Sequence, residues 1–343
     1  MLTIYSQDHR LQDGKAELVD GRLMPCFEMP RRAEMIRTRV EEVGLGEILP
    51  PRDFGKEPIM RVHDPRYVNF LEEAWDLWTQ SGRSHDALPL NWAVRGMRNR
   101  EPEVIDGKLS YYSFDAGTPI TAGTWRAVTS SVNVALTGLE ELGKGGRAVF
   151  ALCRPPGHHA AADYYGGYCF LNNAAIAAQA WRDKGAAKLA VLDVDYHHGN
   201  GTQSIFYDRG DVFFASIHAD PSQEFPYFLG YADEEGSGAG EGCNANFPLR
   251  WGAGFDLWSE ALEEACARIS RFGAEGLVVS LGVDTFKEDP ISHFRLEQED
   301  YLRIGERIAR LGVPTLFVME GGYALEAIGI NAVNVLIGFE QQG

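Results

Sequence analysis

Two short stretches of this chain carry side chains whose types and spacing suit metal-assisted chemistry. One reads Cys-Arg-Pro-Pro-Gly-His158-His159 and the other Leu-Asp193-Val-Asp195-Tyr-His197-His198-Gly-Asn200-Gly-Thr. Asp195 and His197 stand two residues apart, so on extended backbone their side chains point the same way. A carboxylate oxygen and an imidazole nitrogen placed like this can hold one divalent ion. A catalytic ion of this kind takes three protein ligands and keeps one position open. The third candidate is Asp284, where the apolar run Gly-Leu-Val-Val-Ser-Leu-Gly-Val ends on an acid.

Two carboxylates and one imidazole leave a divalent ion with little net charge, so it needs help to activate water and polarise a carbonyl. The chain offers that help. His158 and His159 are adjacent. Asp193 can accept from one imidazole and favour its charged form, and Asn200 can hold another without adding charge. One ring can then shuttle protons while the other supplies positive charge. Tyr323 follows two glycines in Met-Glu320-Gly321-Gly322-Tyr323. A tight turn there would present its hydroxyl to a developing oxyanion. Tyr168 and Phe225 can wall a slender ligand. His63 reads as a structural hydrogen-bonder, and His198 as facing away from His197 into the core.

These residues need a scaffold that brings them together, and the apolar pattern predicts one. Strands are expected at 147–153, 188–193, 212–218, 276–282 and 314–319. Several are solid apolar runs, as in a sheet buried on both faces. Helical patterns lie at about 119–143, 173–185, 255–273, 297–310 and 325–338, and a short helical piece starts at Asn200. Such alternation predicts an α/β fold with a parallel sheet flanked by helices. In these sheets the site forms beyond the carboxyl ends of the strands. His158 and His159, Asp195 and His197, Asp284, and Tyr323 follow four different predicted strands. Residues 80–115 break the rhythm, and a long structureless excursion is expected there. Its Trp, Met and Arg residues suit a protein interface.

Bulk composition bounds the rest. The 343 residues are 45% hydrophobic, ample for a large core, and carry a net charge of −17. That field repels nucleic acid and steers cations toward the surface. No apolar run reaches membrane-spanning length. The first residues lack the basic start and apolar stretch of a signal peptide, which favours a cytoplasmic location. The five cysteines, Cys26, Cys153, Cys169, Cys243 and Cys266, are scattered and read as reduced thiols.

Taken in order, Pro-Gly-His158-His159, Asp193-Val-Asp195-Tyr-His197-His198-Gly-Asn200-Gly-Thr, Gly-Val-Asp284 and Glu320-Gly-Gly-Tyr323 resemble the zinc-dependent deacetylases of the arginase/deacetylase fold, which include the histone deacetylases. Supporting matches stand at Val62-His63-Asp64-Pro65 and Asn172-Asn173. Phe225-Pro226-Tyr-Phe228-Leu229-Gly230, Ser280-Leu-Gly-Val-Asp284-Thr-Phe286, Asp289-Pro290-Ile291 and the 80–115 insertion look like the bacterial acetylpolyamine amidohydrolase branch. The resemblance implies one three-layer domain over 1–343. It implies zinc on Asp195, His197 and Asp284, with Fe(II) or Co(II) as substitutes that the same ligands tolerate. It implies His159 as general base then acid, His158 as its electrostatic partner and Tyr323 as the carbonyl-polarising hydroxyl. It further implies a monovalent cation, K+ or Na+, near Asp193, Asp195, His197, Ser216 and Ile217. It implies a homodimer whose interface and active-site entrance are built by the insertion.

The expected substrate is therefore a small cationic acetylated amine such as acetylputrescine, acetylcadaverine or acetylspermidine. Ile291 joins Tyr168 and Phe225 as an expected substrate contact, and Asp115, Glu103 or Asp106 is expected to hold the distal ammonium. An acetyl-lysine protein deacetylase and a non-catalytic acyl-ligand sensor are the alternatives. A dinuclear manganese ureohydrolase would need a further acid after the Asp-x-His pair, where Gly199 stands.

Overall fold

The apolar runs assemble into one buried sheet in the computed structural model of the chain, which describes residues 1–19 and 21–342. The strands are β1 (Leu2–Ile4), β2 (Glu17–Val19), β3 (Arg22–Met24), β4 (Ile48–Leu49), β5 (Ala148–Ala151), β6 (Leu189–Asp193), β7 (Val212–Ala219), β8 (Asn244–Leu249), β9 (Gly276–Leu281) and β10 (Thr315–Met319). Eight of them form a parallel sheet in the order β4-β1-β5-β10-β9-β6-β7-β8, while β2 and β3 make a separate antiparallel hairpin. The helices are α1 (Arg31–Glu42), α2 (Glu57–Met60), α3 (Pro65–Gln80), α4 (Ile105–Tyr112), α5 (Thr124–Leu142), α6 (Asn173–Asp183), α7 (Asn200–Phe206), α8 (Phe255–Phe272), α9 (Asp300–Ala309) and α10 (Leu325–Gln341).

Alternation along the strands sends side chains to two different cores. On β9, Leu277, Val279 and Leu281 join the cluster that holds Trp258, Tyr301 and Leu336, whereas Val278 joins the one that holds Val134, Leu139 and Ala174. Helices therefore cover both faces, which is why these strands carry no polar alternation. A third cluster, with Tyr67, Phe70, Tyr112, Tyr165 and Phe170, packs α3 and α4 against this body. Local signals fix several helix ends. Asp64 caps α3 by accepting from the Arg66 N–H, with Pro65 at the first helical position. Asn172 caps α6 by accepting from the Ala175 N–H.

The five expected strands are present. The 80–115 segment differs from expectation, because α4 lies inside it. Ile105, Leu109 and Tyr112 recur at helical spacing and bury against α3, so this part folds back on the domain. Among the described residues, no helix is long and apolar enough to cross a membrane.

The contact between α9 and α10 leaves no room for side chains at two glycines. A Cβ on Gly305 would stand 1.8 Å from the Val335 carbonyl oxygen, and one on Gly338 would stand 2.0 Å from the Leu302 oxygen. Both obstacles are backbone, so the helices themselves would have to part. Gly305→Ala is expected to destabilise the fold by about 1–3 kcal/mol despite its better helix propensity. Denaturant unfolding checks this, and an unchanged or raised midpoint would contradict it.

Candidate active site

Because β5, β10, β9 and β6 are neighbours, the loops leaving their carboxyl ends meet in one place. The loop after β6 brings Asp195 and His197, and the loop after β9 brings Asp284. Their ligand atoms all lie within 4.8 Å of one another, and all three residues are buried. His197 Nδ1 faces both acids, at 3.1 Å from Asp284 Oδ2 and 3.3 Å from Asp195 Oδ1. Backbone N–H groups hold the carboxylates in place. Gly321 donates to Asp195 Oδ2 at 2.8 Å, and Tyr196 donates to Asp284 Oδ1 at 2.8 Å. The loop after β10 can approach this closely only because position 321 has no side chain. A Cβ there would lie 2.5 Å from an oxygen of each acid.

Burial and the neighbouring Asp195 push Asp284 up to about 6. Burial also works against ionised Asp195, but the charges of His158 and His197 outweigh it and hold this carboxyl below the usual range. Two buried acids facing one imidazole nitrogen fit a divalent cation, which would offset both the burial and the repulsion. The donor set of two oxygens and one nitrogen is one that zinc and its first-row neighbours accept.

The two histidines after β5 stand beside this cluster, with ring centroids 4.0 Å apart. His158 Nδ1 lies 2.9 Å from Asp193 Oδ2. Burial lowers the affinity of its ring for a proton, but Asp195 and Asp193 override that and raise it to about 10. His159 goes the other way. Burial, together with the charges of His158 and His197, drives it well below its ordinary value. Its Nδ1 lies 2.5 Å from Asn200 Oδ1, an atom that can only accept, so Nδ1 carries the proton. The Asn200 amide is oriented by its own donation to the His159 carbonyl at 3.3 Å. His159 Nε2 is left with a free lone pair, and this ring lines the adjoining cavity. The arrangement thus pairs one charged imidazole with one neutral imidazole.

That cavity has a volume of about 310 Å³, and Tyr168, Phe225, Ile291, Asp115, His197 and Tyr323 also border it. The Tyr323 and Tyr168 rings meet edge-on at 5.6 Å. Asp289 fixes the tyrosine backbone by accepting from the N–H groups of Tyr323 at 2.6 Å and Ala324 at 3.1 Å. His63 is a structural hydrogen-bonder, with Nδ1 at 2.7 Å from the Ala161 oxygen and Nε2 accepting from the Asn172 N–H at 3.0 Å. His198 is buried, with Nε2 at 3.0 Å from Gln203 Oε1. Asp193 and Ser216 are direct partners across the β6–β7 ladder.

Two expected entrance acids lie elsewhere in this chain. Asp106 is exposed and ion-paired with Arg83, and Glu103 is exposed; neither borders the cavity. Two acids that do border it were not expected, Glu17 on β2 and Glu224 immediately before Phe225. Glu17 sits in a three-residue strand with no periodicity to mark it. Glu224 stands next to an expected wall residue, and that adjacency was the available signal. Asp115 does border the cavity, but its carboxylate accepts from the N–H groups of Gly167 and Gly117 and from the Thr118 hydroxyl. Phe114, which stacks on Phe225 at 5.5 Å and 22°, was also missed.

The description "Histone deacetylase domain" fits residues 26–338 of this chain. The chain belongs to the histone deacetylase family. It is 66% identical over 340 residues to acetylpolyamine amidohydrolase 2 of Pseudomonas aeruginosa, covering 99% of both chains. It is 53% identical over 338 residues to the acetylpolyamine amidohydrolase of Mycoplana ramosa, covering 98% of this chain and 99% of that one. The crystal structure of an acetylpolyamine aminohydrolase from Burkholderia pseudomallei superposes with a TM-score of 0.95 at 37% identity, covering 100% of this chain and 99% of that chain.

If the acid pair and His197 hold the metal, removing one acid leaves too few ligands. Loss of an outer-sphere partner alone typically weakens a site about 10–100-fold, so Asp284→Ala is expected to weaken divalent-metal affinity by more than about 100-fold. Elemental analysis of the purified variant checks this. Full metal occupancy would remove Asp284 from the ligand set.

Proposed function

We propose that this chain is a zinc-dependent amidohydrolase that removes acetyl groups from acetylated polyamines, releasing acetate and the free amine. The observation that carries the reading is the divided histidine pair. His158, hydrogen-bonded to Asp193, is held charged by Asp195 and Asp193, and His159, hydrogen-bonded to Asn200, is held neutral by burial and the neighbouring imidazole charges, beside the two-acid, one-imidazole cluster. When bound by Asp195, His197 and Asp284, zinc supplies Lewis acidity toward the amide carbonyl and the attacking water. His159 Nε2 takes a proton from that water and later returns it to the departing amine nitrogen, so one base serves both steps. Tyr323 donates its hydroxyl to the amide oxygen as charge develops there, and the His158 cation lies close enough to stabilise the same charge. Tyr168 and Phe225 take the methylene chain between their rings.

The polyamine end of the reading rests on the relatives' names and on the cavity acids. A monoacetylated polyamine keeps an ammonium at its far end, and Glu17, Asp115 and Glu224 border the space it would fill. Glu224 keeps partial exposure, while its Oε2 accepts from the Tyr196 hydroxyl at 2.7 Å and the Trp251 N–H at 3.1 Å. Asp115 is a poorer choice for substitution, because its carboxylate orders the loop that presents Tyr168.

We further infer a homodimer through the 80–115 segment. Leu90 is 82% exposed, Met97 71% and Phe228 70%, and the Arg95 guanidinium sits 4.8 Å over the Phe228 ring, so the segment meets the Phe225–Gly230 loop and leaves large apolar groups open to a partner. A structural K+ or Na+ belongs near Asp193, Asp195, His197, Ser216 and Ile217, where the β6–β7 pairing brings a carboxylate and a hydroxyl together. A cytoplasmic setting suits five free cysteines.

The deciding experiment is a turnover panel of acetylputrescine, acetylcadaverine, acetylspermidine and acetyl-lysine peptides. We expect kcat/KM at least about tenfold higher for the small amines, a difference of about 1.4 kcal/mol. Equal or better turnover of peptides would move the chain to the protein-deacetylase reading, and no turnover of any would end the enzyme reading. In the same panel, Glu224→Gln should raise KM for acetylputrescine about 2–5-fold, the scale of a partly exposed ion pair, while a neutral acetylated butylamine is unaffected.

Tyr323→Phe deletes one donor and almost no volume. Loss of an oxyanion donor costs about 10²–10³ in kcat. Single-turnover kinetics should show that loss with metal content unchanged. An unaltered kcat would make the tyrosine a packing residue.

A further inference from the structure

Between α7 and the loop after β7 lies a buried set of amides and imidazoles that the reaction above does not use. Gln203 stands on α7, close to one turn beyond Asn200. Its side-chain oxygen lies 3.0 Å from His198 Nε2, 3.0 Å from Asn244 Nδ2 and 2.8 Å from Asn246 Nδ2. Its nitrogen donates to Glu234 Oε2 at 2.6 Å. The same Glu234 oxygen accepts from the backbone N–H of Gly230 at 2.8 Å.

Gly230 is held from its other side as well. His218 Nε2 lies 2.8 Å from the Gly230 carbonyl, and His218 Nδ1 lies 2.8 Å from the Ser216 hydroxyl. A carbonyl only accepts, so His218 carries its proton on Nε2 and the hydroxyl donates to Nδ1. By the same logic His198 donates from Nε2 to Gln203. The fit is close. Gly230 has φ 106°, and a Cβ there would meet the His198 ring at 2.8 Å and His218 Nε2 at 2.9 Å.

The segment from Phe225 to Gly230 forms one wall of the cavity. Phe225 meets the His159 ring at 5.2 Å and 84°, and Tyr227 lines the same space. One helix therefore touches both halves of the site. Asn200, at its start, holds the His159 ring, and Gln203, further along, reaches the base of the wall through Glu234.

We propose that Gln203 and Glu234 are positioning residues that tie the Phe225–Gly230 wall to the helix orienting His159, so that wall and base keep a fixed separation. The proposal rests on the deacetylase reading for its choice of substrate. It says that breaking the tie loosens the grip on the substrate chain and leaves the reacting groups and the metal in place.

The test compares Glu234→Ala with Glu234→Gln. Alanine removes the acceptor shared by Gln203 and Gly230, whereas glutamine keeps an acceptor oxygen at the same reach. For Glu234→Ala we expect KM for acetylputrescine to rise about tenfold, the scale of one lost hydrogen bond to a charged group, with kcat within about twofold and metal content unchanged. Glu234→Gln should return KM to within about threefold of the parent, since a neutral acceptor is the weaker partner. Amide hydrogen exchange at Gly230 should quicken by about tenfold in Glu234→Ala, independently of turnover.

Unchanged KM and unchanged exchange in Glu234→Ala would overturn the proposal. So would a glutamine variant as impaired as alanine, because Glu234 would then act by charge. Should Glu234→Ala reduce soluble yield, Gly230→Ala strains the same contact from the loop side, and an unchanged KM there overturns the proposal equally. Failure of the parent enzyme to turn over any acetylated amine would count against the deacetylase reading, and the exchange rates would still decide the tie.

Discussion

Carboxylates buried at the carboxyl ends of the central strands impose the main constraint on this molecule. Asp193, Asp195 and Asp284 are fully buried, and Glu320 is nearly so. A buried charge is tolerated only when it is paired and hydrogen-bonded. Backbone N–H groups supply much of the pairing. Gly157 and His158 donate to Glu320, Asp195 to Asp193, His197 and Gly321 to Asp195, and Tyr196 to Asp284. Loops must therefore run directly against the acids, and side chains are excluded where they do. A Cβ at Gly199 would stand 2.1 Å from Asp193 Oδ2, and one at Gly282 would stand 2.1 Å from Asp195 Oδ2. Gly199 is the position where a two-metal ureohydrolase would place another acid. Here the Asp193–His158 pair occupies that space, so the choice between one ion and two is tied to the choice of a charged histidine partner.

The loop that carries Tyr323 is secured by a second buried charge cluster. Arg32, on α1, donates to the carbonyls of Glu320 at 2.6 Å and Gly322 at 2.5 Å, and lies 4.6 Å over the Tyr323 ring. Glu28 bridges Arg32 and Arg154, both buried. Arg154 in turn donates to the carbonyls of His9 and Gln12. Such a triad is weak grounds for stability, since desolvation opposes the Coulomb attraction. Its effect here is geometric. It fastens the amino-terminal segment, the Arg-Pro-Pro-Gly-His-His loop and the Glu-Gly-Gly-Tyr loop to one another, so Tyr323 and the two histidines are positioned by the same ions.

Much of this was legible from the chain, and what escaped did so for identifiable reasons. β5, β6, β7, β9 and β10 announce themselves as solid apolar runs, and the groups after four of them converge as expected. β1 and β4 are three and two residues long, too short for periodicity to register. β8 begins with polar Asn244 and includes Asn246, whose amides both reach Gln203, so its sequence hides a strand. Residue pairs close in sequence, such as Asp195 with His197, could be read directly. The mouth could not, because Glu17 reaches it from the far end of the chain on a hairpin that belongs to no main sheet. Glu103 and Asp106 stand outside this chain's own cavity, just before and on α4, whose helical spacing is confined to eight residues.

The course of the chain beside the cavity follows from the His159 ring. Gly167 has φ 54°, and a Cβ on it would lie 2.2 Å from His159 Cδ2, so the chain passes flat against the imidazole. The next residue, Tyr168, must then leave at φ 67°, a conformation that non-glycine residues adopt at some cost. Two contacts hold it there. Asp115 accepts from the Gly167 N–H, and Thr118 Oγ1 accepts from the Tyr168 N–H at 2.9 Å. Phe225 meets the same His159 ring edge-on, at 5.2 Å and 84°. Phe225 thus packs on the imidazole, and Tyr168 follows the glycine that lies against it, with its own ring edge-on to Tyr323.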